Sequence, residues 1–153
     1  MKIALLWVGK TRNPHLQGLI QDYWERVSHF CELSLREVPP VKDGDRARLI
    51  SLEGKLLLAK VGSSDCLVLL DSAGQSLTTE KFAAFLAKQR DTSSRTLVFL
   101  VGGHEGLSEE VRVRANRILS LSPMTFTHEL ARCLLLEQIY RAFSILHHFP
   151  YHK

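Results

Sequence analysis

One stretch near the middle of the chain limits the possible folds more than any other. Residues 97–101 are five consecutive apolar residues, and glycines follow directly at positions 102, 103 and 106. An apolar run of this length that ends in glycines is typical of a parallel strand buried on both faces. Glycine accepts positive φ and lets another molecule approach the backbone, so the loop is a candidate binding site. The same pattern of strand then loop recurs at Leu119–Phe126.

Strands and helices are predicted to alternate along the whole chain. Apolar runs predict strands at 2–8, 32–38, 66–70 and 95–101, with another beginning near Leu119. Helical spacing of apolar residues predicts helices at 14–30, 46–60, after Thr78 or Thr79, after Ser108 and at 128–148. Such alternation predicts an α/β fold, a mostly parallel sheet with helices on both faces. At this length, we expect a single domain spanning residues 1–153.

Two of the predicted helices carry specific expectations about packing. In the helix at 46–60, the apolar residues Leu49, Leu52, Leu56 and Ala59 form one stripe that should face the core. The last helix has two apolar rows, and only Glu137, Arg141, Ser144 and His148 form a clear polar row. Because a small domain rarely encloses a helix so fully, we expect one side to pack on the sheet and the other to meet a second subunit in a homodimer.

Composition and charge restrict the possible partners only loosely. The chain is 45% hydrophobic and 24% charged, as is ordinary for a soluble globular protein, and no segment approaches the length of a membrane span. The apolar start lacks the length and the small-residue cleavage site of a signal peptide. Cys31, Cys66 and Cys133 are far apart and odd in number, which favours buried free thiols in the cytoplasm. A net charge of +4 permits RNA as a partner without requiring it.

The common motifs of catalytic and nucleotide-binding sites are missing. The sequence contains no P-loop, no dinucleotide-binding fingerprint and no nucleophile elbow, and the histidines near its end lack the carboxylates or cysteines of a metal site. Three predicted loops remain, at 70–74, 101–106 and 121–126, all following strands on one side of the sheet. Small and neutral side chains dominate the third loop, so binding there would rely on backbone groups. That is suited to a bulky cofactor that brings its own reactivity.

A set of motifs is spread along the whole chain, and the most specific of them lie in its last fifty residues. They are Leu70-Asp71 with Gly74, Gly102-Gly103 with Gly106-Leu107, Ser120–Phe126, His128, Glu137–Ala142 and the terminal Tyr151-His152-Lys153. In this combination the chain resembles a known family, the small SPOUT methyltransferases of the RlmH type. The family usually has proline at the position of Thr127, but threonine is also a good helix cap.

The resemblance implies a fold, a cofactor and a substrate. The implied fold is the SPOUT α/β-knot, with a C-terminal trefoil knot, in a cytoplasmic homodimer that needs no metal and no membrane. The implied methyl donor is S-adenosyl-L-methionine. Its contacts would be Leu70, Gly102, Leu121, Ser122, Pro123, Met124, Thr125 and Phe126. The implied reaction is N3-type methylation of a pseudouridine ring nitrogen in 23S ribosomal RNA, free or in the assembled ribosome.

The remaining site residues are assigned to the base and to RNA. His128 is a candidate general base, although it can equally serve at the start of the helix as a cap or structural donor. The residues expected to hold RNA are Arg132, Arg141, Tyr151, His152 and Lys153. Arg112, Arg114 and Arg117 form either a solvated helix face or phosphate contacts. Two other functions stay open: a different SPOUT methylation, of ribose or of a transfer RNA base, and a ribosome-binding factor without enzymatic activity.

Overall fold

The computed structural model describes residues 1–42, 44–92 and 95–152, with only the backbone given for His152. Its strands are β1 (Lys2–Val8), β2 (Glu32–Val38), β3 (Cys66–Ser76), β4 (Leu97–Val101) and β5 (Arg117–Ser120). Its helices are α1 (Pro14–Ser28), α2 (Arg46–Leu58), α3 (Thr79–Thr92), α4 (Glu109–Arg114) and α5 (His128–Leu146), followed by a short 3-10 turn, Pro150–His152. The predicted alternation of strands and helices is therefore confirmed.

The five strands form one parallel sheet in the order β2-β1-β4-β3-β5. Alternate side chains of each inner strand point to opposite faces. On one face, residues such as Leu5, Val68 and Phe99 pack against α1, α3 and α5. On the other face, their neighbours pack against α2 and α4. All five residues of β4 are buried because both faces are covered, and this explains why the strand reads as a continuous apolar run.

The helices α1, α3, α4 and α5 begin at side chains that cap them. The Asn13 side chain accepts hydrogen bonds from the backbone N–H groups of His15 and Leu16, with Pro14 in the first turn. The Ser108 and Thr127 hydroxyls cap α4 and α5 in the same way, and Thr78 accepts from the N–H of Lys81 at the start of α3. Thr127 therefore caps α5, although the family usually has proline at this position.

The prediction that the leucine stripe of α2 faces the core is wrong. Leu52 and Leu56 are 36% and 38% exposed, whereas Glu53, Gly54 and Leu57 are the buried residues of this helix. A Cβ atom on Gly54 would lie 2.2 Å from the Ser108 hydroxyl oxygen. The helix is therefore rotated so that its glycine lies against the start of α4. The contact with α4 decides which face of α2 is buried, and the spacing of the leucines does not predict that contact.

Helix α5 packs within its own chain on more sides than expected. Its buried residues include members of both apolar rows, and they lie in the core with α1, α3 and the sheet. Helices α1 and α3 flank it, but Leu130, Leu134 and Leu146 are only partly buried, and the predicted contact of one side with a second subunit stays a prediction. The polar row is also interrupted, because Ser144 is buried and donates to the Tyr140 carbonyl.

Strand β3 continues beyond its predicted end at Leu70. Residues 71–76 were expected to form a loop but extend the strand, with a shift in register against β5 between Leu70 and Gln75. Gly74 makes this second stretch of pairing possible. A Cβ atom there would lie 2.8 Å from the Leu119 carbonyl carbon and 2.9 Å from the Ile118 carbonyl oxygen. The backbones of β3 and β5 are in close approach at this point.

Other expectations have simple outcomes. All three cysteines are free, and burial raises the pKa of the Cys31 thiol to about 11. Within the described part of the chain, none of the helices is long and apolar enough to cross a membrane. The trefoil knot and the single-domain assignment stay predictions.

We expect Gly74→Ala to destabilise the protein by about 1–3 kcal/mol, because the added methyl group meets backbone atoms of β5 that cannot rotate away. Urea unfolding followed by circular dichroism measures the change in the free energy of unfolding. Gly18→Ala in α1 is the matched control, since nothing lies within 4 Å of its Cβ position. That change should be neutral or stabilising by up to about 1 kcal/mol. Equal stability of the two variants would show that β3 and β5 do not approach so closely.

Candidate active site

The strands β3, β4 and β5 end at one edge of the sheet, and a cleft opens there. Leu70 and Val101 are paired neighbours in the sheet, and the glycine loop follows Val101 directly. The cleft has a volume of about 360 Å³, which falls in the range of small-molecule sites. The predicted contacts that line it are Leu70, Gly102, Leu121, Ser122, Met124, Thr125, Phe126 and His128. Pro123 belongs to the same loop but does not line the cleft.

The glycine loop forms one wall of the cleft. Gly103 and Gly106 pair across the loop, and Gly106 has a φ of +100°, which disfavours other residues. Outside the cleft, Arg46 of α2 forms an ion pair with Glu105 at 3.2 Å. A Cβ atom on Gly102 would lie 3.0 Å from the Leu107 side chain, which also lines the cleft. The glycine therefore lets Leu107 pack closely into the wall.

The loop after β5 forms the opposite wall, and hydrogen bonds from two serines stabilise its conformation. The Ser120 hydroxyl donates to the Ser122 carbonyl at 2.8 Å, and the Ser122 hydroxyl accepts from the Met124 N–H at 3.0 Å. Met124 and Phe126 are 77% and 41% exposed at this wall. The wall thus offers apolar surface and backbone groups, as the sequence predicted.

His128 lies at the first turn of α5 and lines the cleft. Burial lowers the pKa of its imidazole, and the positive charge of Arg132 lowers it further. The helix cap is Thr127, and the imidazole makes no hydrogen bond with any residue that the structure describes. These observations favour a neutral imidazole that is free to accept a proton over a capping or structural role.

An ion pair in the cleft was missed by sequence reasoning. Arg112 of α4 donates to the Asp71 carboxylate at 2.5 Å, and both residues line the cleft. The other Asp71 oxygen accepts from the Ala73 N–H, so the carboxylate also shapes the bulged part of β3. The signal in the sequence was Asp71 directly after a buried strand, but its partner 41 residues away could not be read from spacing. Arg112 is therefore not a solvated surface charge, because it is paired with Asp71. A phosphate contact at this residue stays a prediction.

The other two arginines of this region bind their own chain. Arg114 donates to the carbonyl oxygens of Gly62 and Asp65. The Arg117 guanidinium lies 4.9 Å from the centre of the Phe85 ring. Both side chains thus hold the sheet edge and its helices together.

Two predicted RNA-binding residues near the chain end, Arg141 and Tyr151, do not line the cleft. Tyr151 packs edge-on against Tyr140, and its hydroxyl is 2.8 Å from the Tyr23 hydroxyl. Arg141 lies over the Tyr151 ring and pairs with Glu137 at 2.6 Å. The turn that brings the tail there passes through His148, which has a φ of +58°. The side chain of His152 and all of Lys153 lie outside the described residues.

The chain matches a known protein family over nearly its whole length. The family model described as a predicted SPOUT methyltransferase matches residues 1–152. The chain belongs to the SPOUT methyltransferase family. The family expected from the sequence is therefore confirmed.

Full-length relatives of this SPOUT methyltransferase share one name. The protein called ribosomal RNA large subunit methyltransferase H from Trichlorobacter lovleyi is 43% identical, and the match covers 99% of both chains. Proteins of the same name from Clostridium botulinum strain 657 and Christiangramia forsetii are 42% and 40% identical, again over at least 99% of each chain.

Solved structures agree on the fold. A transfer RNA (m1G37) methyltransferase from Aquifex aeolicus superposes with a TM-score of 0.56 at 13% identity, covering 92% of this chain and 70% of that one. A probable methyltransferase from Bordetella pertussis Tohama I gives 0.56 at 14% identity, covering 92% of this chain and 95% of that one. At such low identity the likeness shows the fold alone.

One predicted RNA contact of this methyltransferase is wrong. Arg132 is fully buried, so it cannot reach a bound RNA. Its guanidinium donates to the Val8 carbonyl and the Thr11 hydroxyl, at 2.7 and 2.9 Å, and lies 4.7 Å from the Trp7 ring centre. Burial lowers the pKa of this group. The sequence showed a cation on a helix, but the turn of α5 puts it beneath the loop between β1 and α1.

We expect Arg132→Met to lower the free energy of unfolding by about 1–3 kcal/mol, because a buried carbonyl oxygen of Val8 loses its donor. Arg141→Met is the comparison, since its ion pair with Glu137 is partly exposed and should contribute less than about 1 kcal/mol. Denaturant unfolding of both variants measures the difference. An Arg132→Met protein with unchanged stability and weakened RNA binding would restore the original interpretation.

Proposed function

We propose that this protein transfers the methyl group of S-adenosyl-L-methionine to a pseudouridine ring nitrogen, of the N3 type, in 23S ribosomal RNA of the large subunit. The full-length 43% identity to a ribosomal RNA large subunit methyltransferase H is the observation that carries the proposal. The pseudouridine substrate rests on the resemblance of the motifs at 102–107, 120–126 and 137–142 to the RlmH type. A ribosomal substrate implies a cytoplasmic enzyme.

The cleft fits the cofactor by size and by the nature of its walls. Its volume of about 360 Å³ lies between an apolar, backbone-rich loop and the glycine loop. Residues 121–126 would hold the adenine through backbone groups and apolar side chains, while Leu70 and Gly102 would contact the remainder. Arg112 has further N–H donors beside its bond to Asp71, and these suit the carboxylate of the cofactor. When bound, the cofactor supplies an electrophilic methyl group on a sulfonium.

The protein's own chemical task is to position the base and accept one proton. With the cofactor bound, the S–CH3 bond of its sulfonium would break as the new N–C bond forms, the neutral thioether S-adenosylhomocysteine would leave, and the ring nitrogen would give up its proton. The neutral imidazole of His128 accepts it and becomes imidazolium. Burial and the charge of Arg132 lower the pKa of this group, which favours the neutral imidazole. Alignment of the nitrogen with the methyl group supplies the rest of the rate enhancement.

The distance between the cleft and the tail supports a homodimer. His128 and Arg141 lie at separate ends of α5, about 20 Å apart along the helix axis. Tyr151 is docked beside Arg141, so within one chain its ring lies away from the cleft. In a symmetric dimer, Arg141, Tyr151, His152 and Lys153 of a second chain would hold the RNA over the cleft of the first.

Transfer of labelled methyl groups tests the function directly. Ribosomes, isolated large subunits and free 23S ribosomal RNA are offered with labelled S-adenosyl-L-methionine, and the modified nucleoside is then mapped. We expect the label in a methylated pseudouridine of the large subunit. Label in a ribose or in transfer RNA would establish a different SPOUT activity. Failure to bind the cofactor in calorimetry would instead favour a ribosome-binding factor.

A mixing experiment tests the shared site. Gly102→Val should abolish cofactor binding with the fold intact, because the larger side chain displaces Leu107 into the cleft. A chain that ends at Pro150 should bind the cofactor normally but lose methylation. Mixed dimers of the two chains pair one intact cleft with an intact tail, so about a quarter of wild-type activity should return. If the mixture stays inactive, each tail serves its own chain. Normal cofactor binding in Gly102→Val would contradict the cleft assignment.

Replacing His128 by asparagine should lower kcat by about 10²–10⁴-fold and leave the dissociation constant of the cofactor unchanged. In the wild-type protein, the acidic limb of the pH profile should fall below about pH 6.5, because burial and Arg132 lower the pKa of His128. That limb should vanish in His128→Asn. A variant that loses rate but keeps the limb would show that His128 only positions the substrate.

A further inference from the structure

The loop between β1 and α1, residues 9–12, is held rigidly by α5. The two oxygens of Glu129 accept hydrogen bonds from the N–H groups of Arg12 and Asn13, at 2.8 and 3.2 Å. The buried Arg132 donates to the Thr11 hydroxyl from below. The loop, named here the basic loop, is thus tied to the turn of α5 that also carries His128.

Further hydrogen bonds complete this support. The Gly9 N–H donates to the Val38 carbonyl at 2.8 Å, and Gly9 has a φ of +69°. The Gln17 amide donates to the Thr11 carbonyl at 2.5 Å. Side chains and backbone from β2, α1 and α5 therefore fix a short exposed loop, which is more support than a simple connection needs.

The basic loop presents two cations to solvent. Lys10 and Arg12 are exposed, and neither forms an ion pair with any residue in the described ranges. Glu129 is the nearest carboxylate on α5, and its oxygens are occupied by backbone N–H groups rather than by these side chains. The start of α1 lies directly beyond the loop, and the buried charge of Arg132 lies beneath it. The two exposed side chains, the N–H groups at the start of α1 and the guanidinium of Arg132 all contribute positive potential at this loop.

We propose that the basic loop is a phosphate-binding surface for the RNA strand that flanks the nucleotide in the cleft. The inference rests on the proposed function and adds a contact surface to it. Lys10 and Arg12 would each neutralise a backbone phosphate, and the bonds from Glu129 and Arg132 hold them at a fixed position relative to His128. The cofactor carboxylate is the other anion nearby, but residues 9–12 do not line the cleft.

The test combines RNA binding, salt dependence and cofactor binding. For Lys10→Ala/Arg12→Ala, filter binding of 23S ribosomal RNA should show an affinity about tenfold weaker than wild type. The slope of log affinity against log salt should fall by about 1 for each lost contact. Calorimetric binding of S-adenosylhomocysteine and kcat at saturating large subunits should stay unchanged. The charge-preserving Lys10→Arg/Arg12→Lys protein should retain most of the affinity.

The matched control removes the same charge from a distant surface. Lys55 and Lys60 are exposed and lie near the end of α2. The chain goes on from there to the beginning of β3, whereas the cleft lies where the strands end. If Lys10→Ala/Arg12→Ala has the same RNA affinity and salt slope as Lys55→Ala/Lys60→Ala, the basic loop is not a phosphate site. Weaker S-adenosylhomocysteine binding would assign the loop to the cofactor and overturn the proposal. Wild-type protein that transfers no methyl group would overturn the proposed function instead, while filter binding still decides the role of the loop.

Discussion

The burial of β4 on both faces is the constraint on which the rest of the structure depends. All five of its residues are in the core, and its neighbours β1 and β3 are parallel to it. Because both neighbours are parallel, the chain cannot pass from β4 into an adjacent strand through a hairpin. It must therefore leave the sheet where β4 ends. The glycine loop leaves there, next to the end of β3 and close to the end of β5. The cleft is a consequence of three parallel strands that stop together.

Helix α5 links the cleft to the rest of the molecule. Its first turn carries His128, which lines the cleft, and Glu129, which binds the backbone before α1. Its last turns hold Tyr151 through Tyr140 and Arg141. His128 and the residues near the tail that are assigned to RNA, Arg141 and Tyr151, therefore lie towards opposite ends of one helix. A second chain offers the direct way to bring them to one substrate.

Several arginines of this protein bind groups of their own chain rather than facing solvent freely. Arg112, Arg114 and Arg132 all bind groups of their own chain. Their contribution to a net charge of +4 does not mark an RNA surface. What distinguishes Lys10 and Arg12 is that their loop is tied to the turn of α5 that carries His128, while their side chains stay exposed. A loop whose backbone is already held loses less conformational entropy when its side chains bind a phosphate.

The sequence by itself determined the order of the elements, the helix caps and the loops that form the cleft. Those features depend on local chemistry: Asn13 before Pro14, a run of apolar residues before Gly102, and Thr127 before a long helix. Tertiary structure alone decided which way each helix faces. Gly54 against Ser108 turned the leucine stripe of α2 outward, and α1 with α3 flanked α5. It also decided that Arg132 is buried and that Asp71 meets Arg112, because contacts between distant segments leave no periodic signal in a single sequence.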